Sequence, residues 1–85
     1  MPYLIEFKKS AAKEIEKLPV AVQGDITQEI AKLASIPRPV GCKKLKGSDN
    51  LWRIRVGDYR VIYTIKDGLL VIEIIRIRHR KDVYE

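Results

Sequence analysis

The Asp67-Gly68 pair restricts the fold of this chain more than any other feature, because it sits between two runs built for β-structure. Tyr59–Ile65 before it is rich in β-branched and aromatic residues, and Leu69–Ile77 after it is the longest largely apolar stretch. An Asp-Gly step in that setting favours a two-residue hairpin loop with positive φ, which makes the two runs antiparallel neighbours. A third strand precedes them. In Trp52–Val56 the apolar Trp52, Ile54 and Val56 alternate with Arg53 and Arg55, and Gly57-Asp58 supplies the turn into Tyr59. Leu69–Ile77 carries apolar residues at both parities and is expected in the middle of the sheet.

The N-terminal half reads differently. Tyr3, Ile5 and Phe7 alternate with Leu4 and Glu6, a short strand. Ser10 is a candidate helix N-cap, followed by Ala11, Ala12, Ile15 and Leu18 at helical spacing, with Pro19 closing the helix. Val22, Ile26, Ile30 and Leu33 form the apolar stripe of a second helix, which stops before Pro37 and Pro39. Residues 40–51 read as a loop carrying Lys43, Lys44 and Lys46. The expected architecture is α+β in the order β-α-α-β-β-β: an N-terminal strand, a helical hairpin, then a three-stranded antiparallel meander, with the helices on one sheet face. A chain of 85 residues is expected to be one domain, 1–85, with a modest core.

Composition narrows the chemistry. One cysteine, Cys42, excludes an internal disulfide and a cysteine-based zinc cluster, and one histidine, His79, excludes a histidine-rich metal site. No stretch reads as a signal peptide or membrane span, which makes the expected compartment the cytoplasm. The net charge is +6, unevenly placed: residues 1–40 carry net +1 and residues 41–85 net +5. Six of the seven arginines, Arg53, Arg55, Arg60, Arg76, Arg78 and Arg80, lie in the second half. Segregation by half and preference for arginine both point to a polyanion, most simply a nucleic acid.

If the apolar set of Trp52–Val56 meets the helices, Arg53 and Arg55 point together from the other face. Their Cβ atoms then stand about 6.5–7 Å apart, close to the spacing of successive phosphates along a strand. Arg76 and Arg78 share a face by the same rule, and Arg60 starts the strand beside the Gly57-Asp58 turn. The final stretch, Arg76 to Tyr84, adds Arg80, Lys81, the single histidine and a tyrosine. Arginines supply bidentate donors, a histidine can move a proton near neutral pH, and a tyrosine can stack on a base. The plainer alternatives are a charged face that resists edge pairing and a solvated basic tail.

Leu45-Lys46-Gly47, the block Trp52-Arg53-Ile54-Arg55-Val56-Gly57-Asp58-Tyr59-Arg60-Val61-Ile62-Tyr63, and the closing His79-Arg80-Lys81-Asp82-Val83-Tyr84 together resemble the RelE/ParE toxin superfamily. The RelE branch is the nearer, and the similarity runs through the whole chain. It implies a toxin held inactive by a cognate acidic antitoxin in a hetero-oligomer, and a metal-independent endoribonuclease without cofactor that cuts messenger RNA on the ribosome. In that chemistry a 2′-hydroxyl attacks the adjacent phosphorus and leaves a 2′,3′-cyclic phosphate. By the same resemblance Arg60 and Arg78 bind phosphate, Tyr84 orients or stacks on a base, and Arg53 and Arg55 occupy positions that are lysine in the best-known pattern. Arginine is a poor general base, so these two stabilise charge. His79 and Arg80 are further catalytic candidates. Lys43, Lys44, Lys46 and Lys81 are candidate contacts to RNA or ribosome. A gyrase-inhibiting ParE-like protein and a non-catalytic RNA-binding module are the competing readings.

Overall fold

The computed structural model describes residues 2–81. Its elements are β1 (Leu4–Phe7), α1 (Lys9–Glu16), α2 (Val20–Leu33), β2 (Lys43–Lys44), β3 (Trp52–Val56), β4 (Tyr59–Lys66) and β5 (Val71–His79). The α+β class, the helix pair and the meander β3-β4-β5 agree with the pattern in the sequence. The sheet has five strands in the order β1-β5-β4-β3-β2, and β1 runs parallel to β5. Lys43 and Lys44, expected in a loop, instead form a short edge strand paired to Arg53 and Trp52.

The helices meet one sheet face. Ala11, Ile26, Ile30 and Leu33 are buried against Ile54, Val61, Tyr63, Ile65, Ile72, Ile74 and Ile77. Cross-strand register explains why: Ile54, Val61 and Ile77 form one row, Tyr63 pairs with Ile74, and Ile65 with Ile72. The α2 stripe is as expected, with Ile26, Ile30 and Leu33 buried and Val22 packed at its margin. Gly24 is accommodated within the helix. Pro19 serves as the N-cap of α2 with extended backbone, while α1 already ends at Glu16.

Four local expectations change. Ser10 lies inside α1, not at its cap; Lys8 takes that position, and the Ser10 hydroxyl reaches the Ile75 carbonyl at 3.4 Å. The β4–β5 hairpin closes through the four residues Asp67–Leu70, with Lys66 paired to Val71, and the left-handed residue is Leu70 at φ 54° instead of Gly68. Tertiary contacts override the local preference there. Asp67 accepts from the Tyr3 hydroxyl at 2.6 Å and from Arg38 at 3.1 Å, and the Leu70 carbonyl accepts from the Leu4 amide at 2.8 Å. In consequence β5 begins at Val71 and continues to His79, two residues beyond the expected end. It is an interior strand, but β4 holds the middle place.

The fourth change has the largest consequence. Strict alternation from Ile72 and Ile74 would carry Arg76 and Arg78 into the core. The β4–β5 register instead shifts: Ile62 pairs with Arg76 while Tyr63 pairs with Ile74, leaving Ile75 as an extra residue on β5. Such a bulge flips the facing of everything after it. Ile77 turns inward and Arg76 and Arg78 turn outward.

The Tyr63 ring is fully buried, and its hydroxyl donates to the Pro37 carbonyl at 2.8 Å. Burial first, then the neighbouring Cys42, pushes its pKa up, so it stays a neutral donor. Tyr63→Phe would leave that carbonyl short of a partner. The expected cost is about 1 kcal/mol, a fall in Tm of roughly 4–8 °C on a thermal melt, with the sheet preserved.

Candidate functional site

On the face away from the helices the register builds two rows. Arg55 pairs with Arg60, and Arg60 with Arg78, so three guanidinium side chains stand side by side across β3, β4 and β5. The neighbouring row is Lys43, Arg53, Ile62 and Arg76. Directly opposed side chains on one face have Cβ atoms about 4.5–5.5 Å apart, and like charges so placed repel. The sheet thus accepts a local cost to gather these cations.

Burial adds to that cost. Arg53 is only 8% exposed, which corrects the expectation of a side chain open to solvent beside Arg55. Arg55 is exposed. Desolvation first, then the charges of Arg55 and Arg60, hold the Arg53 pKa below the usual guanidinium value. An arginine so shifted still carries its charge at neutral pH. The Nε of Arg60 is buried with no hydrogen-bond partner among the described residues. A buried, unpaired donor on an arginine is a position that an anion would complete.

Among the described residues, carboxylates touch this cluster only at its flanks. Glu14 of α1 lies 3.7 Å from both Arg76 Nη1 and Arg78 Nε. At the other side Asp58 is 3.7 Å from Arg80 Nε, and the Arg80 amide donates to the Asp58 carbonyl at 2.7 Å. These contacts pin the end of β5 to the β3–β4 turn, where Gly57 adopts φ 60°, the glycine position that opens a type II′ hairpin. A cleft of about 140 Å³ sits there, lined by Arg55, Gly57, Asp58, Tyr59, Arg60 and Arg80. Its size suits a phosphate group, and its walls present three guanidinium groups.

Not every candidate joins the cluster. His79 pairs with Tyr59 across the sheet and packs edge-on against that ring, centroids 5.1 Å apart, on the face opposite Arg78. Its Nδ1 accepts from the Lys81 amide at 3.2 Å. Lys44 lies over the Trp52 ring, 5.9 Å from the centroid, with Arg38 at 4.8 Å. Lys46 is exposed in the turn before β3, and Lys81 is exposed just after β5. Tyr84 lies outside the described residues. Lys43 does reach the arginine rows, because β2 sets it opposite Arg53. Glu14 carried no signal in the sequence, since its partners are more than sixty positions away.

Among the described residues no three of His, Cys, Asp and Glu cluster in a way that could hold a metal ion. No described helix is long and apolar enough to cross a membrane.

Comparison with known proteins gives the class. The family described as the ParE toxin of type II toxin–antitoxin system, parDE, matches residues 5–84. The chain is 29% identical over 85 residues to Toxin RelG of Mycobacterium tuberculosis, covering 99% of this chain and 98% of that one. It is 31% identical over 84 residues to Toxin RelE of the same organism, covering 98% and 87%. The toxin in the crystal structure of the archaeal RelE–RelB complex from Pyrococcus horikoshii OT3 superimposes with a TM-score of 0.83 at 32% identity, covering 94% of this chain and 97% of that chain. The intact E. coli RelBE toxin–antitoxin complex matches with a TM-score of 0.81 at 25% identity, covering 91% and 95%. The chain therefore belongs to the RelE/ParE toxin superfamily, on its RelE-like branch.

If the buried charge at Arg53 serves ligand binding and not the fold, removing it should help folding. Arg53→Met roughly keeps the volume and deletes a buried cation that has no ion pair among the described residues. It is expected to raise stability by about 1 kcal/mol in denaturant titration while weakening binding to single-stranded RNA. A loss of stability would mean that the guanidinium is a structural group.

Proposed function

We propose that this toxin is an endoribonuclease that cleaves messenger RNA on the ribosome and is restrained by an acidic antitoxin. The observation that carries the reading is the row Arg55–Arg60–Arg78 beside a phosphate-sized cleft, with the Arg60 Nε buried and unpartnered among the described residues. When a 2′-hydroxyl attacks the adjacent phosphorus, negative charge grows on the non-bridging oxygens. Fixed guanidinium donors aimed at those oxygens lower the barrier without having to reorganise. The row's part is electrostatic, because arginines at neutral pH hold their protons too firmly to abstract one.

The complexes of RelE with RelB among the related structures support an antitoxin as partner. A chain of net charge +6 with an open cationic face is complementary to a flexible acidic segment that folds on contact. Tyr84 is proposed to stack on or orient a base next to the scissile phosphate. Lys43, continuing the second row, and Lys44, Lys46 and Lys81 around it are proposed to steer the message or ribosomal RNA.

The test is single-turnover cleavage of a message on programmed ribosomes. Arg60→Ala and Arg78→Ala are each expected to slow cleavage by roughly 10²–10³-fold while remaining folded on a thermal melt. Arg55→Ala should weaken binding of single-stranded RNA and reduce the salt slope of log K by about 0.7, the contribution of one phosphate contact. Folded arginine variants that cut at the wild-type rate would remove the row from the mechanism. A wild-type protein that leaves transcripts intact but traps gyrase on DNA would replace this reading with the ParE-like one.

A further inference from the structure

We propose that Glu14 is a positioning residue for Arg78: its carboxylate fixes the guanidinium at the end of the arginine row and holds the strand edge that carries it. This rests on the endoribonuclease reading for its catalytic consequence, but not for its structural one.

The argument starts at the edge of β5. Strand β1 covers that edge only as far as Phe7, which pairs with Ile74. Beyond it, residues 75–79 present backbone groups on a side with no strand beside them among the described residues. The segment around α1 takes over. The Lys8 amide donates to the Ile74 carbonyl at 2.8 Å, the Ser10 hydroxyl to the Ile75 carbonyl at 3.4 Å, and the Ile77 amide donates to Glu14 Oε1 at 3.0 Å. A carboxylate thus substitutes for a strand carbonyl. Its second oxygen, Oε2, stands 3.7 Å from Arg76 Nη1 and 3.7 Å from Arg78 Nε, on the two side chains flanking Ile77.

One carboxylate therefore does two different things with two oxygens. Oε1 accepts a short backbone bond, which fixes the carboxylate in place. Oε2 attracts two guanidinium groups at a distance too long for a hydrogen bond. That separation means that Glu14 does not take up the arginine N–H donors while it biases where the guanidinium sits. The Glu14 side chain is 27% exposed, so the attraction is only partly screened by water. A tight bidentate pair would consume the donors that phosphate needs, and a missing carboxylate would let three like charges in one row splay apart.

Glu14→Gln separates the roles. The amide oxygen still accepts from the Ile77 amide, but the charge facing Arg76 and Arg78 is gone. The expected outcome is an unchanged Tm, a saturating cleavage rate lower by about tenfold to a hundredfold, and RNA affinity that is unchanged or tighter. Glu14→Ala, which loses both contacts, should lower the Tm as well. In an Arg78→Lys background, Glu14→Gln should add little, because the two changes act through the same group. The second readout needs no cleavage: the Arg78 Nε–H resonance, followed by nitrogen-15 NMR, should shift and broaden in Glu14→Gln relative to the wild type. A normal rate together with an unmoved Arg78 resonance would overturn the proposal. Failure of the wild type to cut would count against the endoribonuclease reading alone, and the resonance would still decide whether Glu14 positions Arg78.

Discussion

The one-residue slip at Ile75 is the constraint on which the rest of this molecule depends. Strand β5 has to give Ile72, Ile74 and Ile77 to the core and Arg76 and Arg78 to the opposite face, and period two cannot do both. Without the bulge, either Ile77 would be expelled or two guanidinium groups would be driven under the helices, where burial of unpaired charge is prohibitive. With it, Arg78 falls opposite Arg60, which already faces Arg55. The row exists because a ladder defect in one strand brings two different patterns into phase.

That arrangement raises an edge problem, and α1 resolves it. A bulged strand with an uncovered side exposes backbone groups that must find partners. Lys8, Ser10 and Glu14 meet three of them from one short segment. The cap of α1 is poor by local standards, with an extended lysine and no side-chain acceptor. The chain gives up a local capping bond at Ser10 for a long-range one to Ile75. Similar exchange occurs at the β4–β5 hairpin, where Leu70 adopts a left-handed conformation that costs a branched residue about 1–2 kcal/mol, while Asp67 ties Tyr3 and Arg38 together.

Much of this was legible in the residues. Alternation in Trp52–Val56, the α2 stripe and the Gly57-Asp58 turn all act locally, and the strands and helices they imply are present. The facing of Arg55, Arg60 and Arg78 could also be anticipated, although Arg78 reaches its face by a bulge and not by simple alternation. The doubled Ile74-Ile75 is the trace of that bulge in the sequence: two adjacent apolar residues followed by Arg76-Ile77-Arg78 change the phase of the pattern. What was not legible depends on partners far along the chain. Two lysines in a glycine-containing loop carry no indication that they will pair with β3. Nothing near Glu14 announces Ile77, and nothing near Asp67 announces Tyr3 and Arg38. Arg53 looked exposed because alternation gives the face of a side chain but not how closely its neighbours crowd it.

The use of arginine where a lysine would also supply charge has a physical consequence in this setting. Desolvation and like charges both favour the neutral form of a base. An ammonium at the position of Arg53, 8% exposed and beside Arg55 and Arg60, would meet the same pressures from a lower starting point. A guanidinium starts higher, is delocalised and is weakly hydrated, so it retains its charge under the same pressure. A row of arginines can therefore be packed more tightly, and buried more deeply, than a row of lysines carrying the same total charge. The gain is a denser positive field on that face of the sheet. The loss is any group in that row able to accept a proton, so on the proposed cleavage reading proton transfer falls to atoms outside it.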